Sequence, residues 1–73
     1  MIDNILETDR IEFQKFTILS QRNHLLTLSD WTQVPDSPLN EEKKTAWAVY
    51  RQQLRDISLQ PGFPDTFTWP ERP

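Results

Sequence analysis

Apolar residues fall on a helical period in two stretches of the chain and on no regular period in a third. In the first stretch Ile11, Ile18 and Leu25 repeat every seven residues, with Leu19 and Leu26 one position over, which sets them on one stripe of a helix. Thr8 or Asp9 can cap its start, since either side chain accepts from the free N–H groups of a first turn and Glu12 stands three residues after Asp9. The spacing predicts a first helix over residues 8–29, preceded by a short lead, residues 1–7, whose apolar content is Ile2, Ile5 and Leu6.

Two prolines within four positions, Pro35 and Pro38, rule out helix through the segment that follows, so residues 30–39 read as a Pro-rich loop. Asn40 then offers an N-cap, and Glu41 and Glu42 set negative charge against the positive end of a second helix dipole. Trp47, Tyr50, Leu54 and Ile57 recur at steps of three and four along it, with Arg51 and Arg55 flanking that face near the C-terminal end. The pattern predicts helix over residues 40–58.

Residues 59–73 lose the period. Pro61, Pro64, Pro70 and Pro73 remove backbone donors and fix φ, Gly62 suits a turn, and Phe63, Phe67 and Trp69 are left on an extended strip. Three large aromatic rings with little core of their own need a surface: the tail lies over the helices or is held by a partner. The expected architecture is a single small, mainly α domain spanning residues 1–73, a helical hairpin with an extended Pro/aromatic C-terminal tail.

A chain of 73 residues lies near the lower size at which one hydrophobic core sustains a fold. It has no cysteine, so no disulfide compensates, and association with a client or with a second copy is the remaining remedy. The formal charge of −3 is spread as mixed signs, with no basic stripe for nucleic acid. No run approaches the ~18 apolar residues of a membrane span, and the acidic start MIDNILETDR is unlike a signal peptide. The expectation is a soluble protein made inside a cell.

Candidate chemistry is sparse. His24 is the sole histidine, and no cysteine or Gly-framed serine stands with a base, so neither a metal site nor a nucleophile is predicted. Carboxylate pairs, Glu41 with Glu42 or Asp36 with Asp65, could in principle share acid and base work, but the first more simply caps a helix, and one glycine cannot build a phosphate-binding loop. The reading is a non-enzymatic protein without cofactor. Arg22 falls inside the apolar stripe and needs a partner: an internal one such as Asp30 or Asp56, or carboxylates of another protein reached together with Arg51 and Arg55. Among the tryptophans, Trp47 fits a small core, Trp31 the closure of the hairpin, and Trp69 either a binding contact or docking on the chain's own helices. The candidate partner-binding residues are Trp47, Tyr50, Arg51, Leu54, Arg55, Phe63, Phe67, Trp69 and Pro70.

Five pieces in order and spacing carry a family resemblance: RNHLLTLSDW at 22–31, VPDSPL at 34–39, WAVYRQQLRDI at 47–57, QPGFP at 60–64 and TWPERP at 68–73. Together they resemble the phage tail assembly chaperone family, a small domain also found at the C-terminus of some tail fibre assembly proteins. Asn23 stands where the family pattern commonly has Asp, and the first twenty-one residues fall outside the resemblance. The resemblance implies a phage-encoded protein, made in the host bacterial cytoplasm, that helps a tail or tail fibre protein fold or join the particle. It implies no catalytic residue. A second reading is a permanent minor component of the virion tail, fibre root or baseplate. A third, an inhibitor of a host factor by nucleic-acid mimicry, fits poorly with mixed charge.

Overall fold

The computed structural model describes the backbone of residues 2–73 and the side chains from residue 8 onward. Helix α1 spans Ile2–Leu28, a 3₁₀ turn Asp30–Gln33, helix α2 Glu41–Arg55, and a second 3₁₀ turn Ile57–Leu59. No strand occurs among the described residues, and the two helices form a hairpin.

α1 starts six residues before the predicted start, so residues 2–7 are not a separate lead. Thr8 and Asp9 are good capping residues, but nothing from Ile2 to Leu28 is proline or glycine, and an uninterrupted i to i−4 ladder overrides a local cap signal. Met1 and the side chains of Ile2, Ile5 and Leu6 lie outside the described residues.

α2 begins as its sequence dictates. The Asn40 side chain accepts from the Lys43 N–H at 2.8 Å, and Glu41 and Glu42 occupy the first turn. The α-helix stops at Arg55 rather than Ser58, because the Asp56 N–H is shared between the carbonyls of Gln52 and Leu54, and the chain tightens into the 3₁₀ turn. Before α2, the Ser37 N–H bonds to the Val34 carbonyl across Pro35 and Asp36, a turn with proline at its favoured second position.

The core is small and lies at one end. Among the described residues the buried apolar side chains are Tyr50, Leu54 and Ile57, joined by buried Ser29, Thr32 and Arg51, and Pro64 is buried in the tail. Overlap between the helices is short: α2 packs chiefly on the 3₁₀ turn at Asp30–Gln33 and on the last turns of α1. The molecule therefore measures 55 × 19 × 13 Å. Its radius of gyration of 15.8 Å exceeds the roughly 11 Å of a compact globule of this length.

Candidate protein-binding surface

Two arginines fix the hairpin, each closing the carbonyl end of the opposite helix. Arg51 of α2 donates from one terminal nitrogen to the Leu26 carbonyl and to Ser29 Oγ, both at 2.7 Å, and from the other to Asp30 Oδ1 at 2.7 Å. α1 has no basic residue in its own last turn, so Arg51 supplies the cation that its negative end favours. Arg22 of α1 reaches the carbonyls of Leu54 and Arg55 at 3.5 and 3.3 Å, at the end of α2. The internal aspartates expected as one of its two possible kinds of partner, Asp30 and Asp56, do not bond to it. Arg51 takes Asp30, and Arg22 meets backbone carbonyls, because Arg22 lies opposite the end of α2, where the last carbonyls have no N–H a full helical turn further on to accept from. Gln33 ties the intervening turn to α2 through a bond to the Lys44 carbonyl at 3.0 Å.

On this frame the aromatic side chains form two strings. The ring centroids of Trp31 and Trp47 lie 6.3 Å apart, and those of Trp47 and Tyr50, a T-shaped pair, 5.6 Å apart. In the tail Phe63, Phe67 and Trp69 follow at 5.8 and 5.3 Å, both contacts edge-on. A cleft of about 330 Å³ opens beside the first string, walled by Leu25, Leu28, Trp31, Trp47 and Tyr50. Arg72 and Pro73 complete it, so the tail returns to the helices. Among the described residues Arg72 makes no hydrogen bond or ion pair, which leaves its guanidinium free at the rim of an aromatic cleft.

The tail is shaped before it returns. Gly62, at φ 85°, accepts from the N–H groups of Asp65 and Thr66 and closes a tight turn, and the Phe63–Pro64 peptide is cis. The Gln60 side chain then clips the loop: its amide donates to the Thr68 carbonyl and accepts from the Thr68 N–H, both at 2.8 Å. A side chain here does the job of a neighbouring strand. The tail is thus a clipped turn followed by residues outside any helix or strand, with Phe63, Phe67, Trp69 and Pro70 half-buried.

The nine expected partner-binding residues separate by burial. Tyr50, Arg51 and Leu54 are 5%, 8% and 0% exposed. They hold the hairpin together, because the 3.6-residue face of α2 turns inward, and of the three only Tyr50 reaches the wall of the cleft. Trp47, Phe63, Phe67, Trp69 and Pro70 stay half-exposed, and Arg55 is exposed. Sequence reasoning missed Gln60, Arg72 and the exposed pair Phe13 and Phe16. The phenylalanines had a legible signal, apolar residues three apart but off the Ile11, Ile18, Leu25 stripe. Gln60 and Arg72 had none, since their roles depend on where the tail returns.

No group of three or more His, Cys, Asp or Glu side chains among the described residues is placed to hold a metal ion. None of the described helices is long and apolar enough to cross a membrane. The cleft walls are mainly apolar and aromatic, with the Arg72 guanidinium at the rim. No curated protein and no solved structure matches the chain. The sequence pattern of the phage tail assembly chaperone protein family matches residues 15–73, so the likeness reaches seven residues further into α1 than the motifs alone carry it.

Proposed function

Since the chain belongs to the phage tail assembly chaperone protein family, we propose that it acts without catalysis, by covering an apolar surface on an immature tail or tail fibre protein in the host bacterial cytoplasm. The open aromatic cleft carries this reading. Its volume of about 330 Å³ suits one or two large side chains of a client, and its walls desolvate them. Arg72 at the rim complements a carboxylate beside the inserted side chain. Phe67 and Trp69, half-buried on the clipped tail, offer a second apolar area. Covering such a surface prevents wrong pairing of fibre subunits until the correct neighbour arrives.

The client meets side chains rather than a free strand, because Gln60 already occupies the N–H and carbonyl of Thr68. Co-expression with the tail and tail fibre proteins of the same phage tests the reading. Trp31→Ala in the cleft and the double variant Phe67→Ala/Trp69→Ala in the tail are each expected to reduce client co-purification at least tenfold while helicity by circular dichroism persists. Undiminished capture by both variants overturns the cleft and tail as the contact surface.

A further inference from the structure

α1 carries an apolar feature that the cleft does not absorb. Phe13 and Phe16 are 72% and 69% exposed, more than any other aromatic side chain described. Three residues apart, they are neighbours on the helix surface, and they lie about half a turn round from Ile11 and Ile18. They also stand on the part of α1 that runs past the hairpin. α2 ends beside Arg22, and the twenty residues from Ile2 to Gln21 extend roughly 30 Å beyond that point.

We propose that this face pairs with the same face of a second copy, the two α1 helices crossing antiparallel to make a dimer. Area supports a second copy. The four rings together remove on the order of 600 Å² from water, at ~150 Å² each. The stems of Asp9, Glu12, Thr17 and Ser20 around them bring the contact toward the ~1,200 Å² at which specific interfaces begin. Charge fixes the direction. A parallel pair would set Asp9 beside Asp9 and Glu12 beside Glu12, like charges at contact. An antiparallel pair centred between the phenylalanines sets Phe13 opposite Phe16 and Asp9 opposite uncharged Ser20. Such a contact is self-complementary and closed, so assembly stops at two copies. It leaves one aromatic cleft at each end of a longer rod. The pairing stands independently of what the cleft binds.

Light scattering on the eluting protein gives the mass directly. The expected value is twice 8.7 kDa, falling to the single-chain mass in Phe13→Glu/Phe16→Glu. Because the chain lacks cysteine, cross-linking supplies a second measurement that does not depend on the charged variant folding. A mixture of Asp9→Cys and Ser20→Cys chains is expected to oxidise to the mixed dimer far more than either chain alone. A single-chain mass at every concentration overturns the proposal, as does a dimer that survives both glutamates or a self-linked Asp9→Cys dimer. Loss of client capture by the glutamate variant of a protein that is monomeric throughout reassigns the face to the client, and equally overturns it.

Discussion

Removing the guanidinium of Arg51 takes the donor from three acceptors at once: the Leu26 carbonyl, Ser29 Oγ and Asp30. Ser29 is buried, so water does not readily replace the lost bond. We expect Arg51→Ala to lower stability by about 2–4 kcal/mol, read from the urea midpoint, as for buried charge-assisted hydrogen bonds. Arg51→Lys should fall between, since an ammonium cannot fork to both sides. The carboxylate of Asp30 is 64% exposed, and Asp30→Asn should cost less than ~1 kcal/mol. An equal loss in Asp30→Asn and Arg51→Ala would show that the ion pair, rather than the carbonyl cap, carries the effect. The sequence makes arginine look like a partner for carboxylates because charge is visible in a sequence. Carbonyls freed at the end of a helix 25 or 33 residues away become visible only when the end of the helix and the overlap of the pair are known.

At the scale of elements, the start of α2 was legible because capping is local: Asn40, Glu41 and Glu42 carry the whole signal within three residues. The start of α1 was not, because Thr8 and Asp9 send the same local signal inside a helix that continues through them. In the tail, Gly62 was legible as a turn, and its conformation gives a prediction. At φ 85° a Cβ meets the Thr66 hydroxyl, so Gly62→Ala combines backbone strain with a clash. A loss of about 1–2 kcal/mol is expected, with Thr66 forced to another rotamer. Thermal unfolding of the variant checks it; an unchanged midpoint would mean that the turn forms independently of the fold. The clip from Gln60 to Thr68 had no signature at all, since it depends on two positions eight residues apart that the turn happens to bring together.

At the scale of the molecule, two helices and a break between them could be read from periodicity, while their unequal overlap could not. Heptad spacing from Ile11 through Leu25 reads as one continuous inward stripe, yet the bonds to α2 fall at Arg22 and Leu26. What lies before Arg22 has no second helix beside it. The radius of gyration of 15.8 Å reflects that geometry. Backbone deuterium uptake should therefore divide the chain: slow at residues 22–28 and 47–57, where opening means losing the core, and fast at residues 8–18 in dilute protein, where a few turns of helix unwind at little expense. Uniform slow uptake along α1 in dilute protein would contradict this division. A rod anchored at one end melts from the other, and whatever clasps the free end sets how far the melting runs.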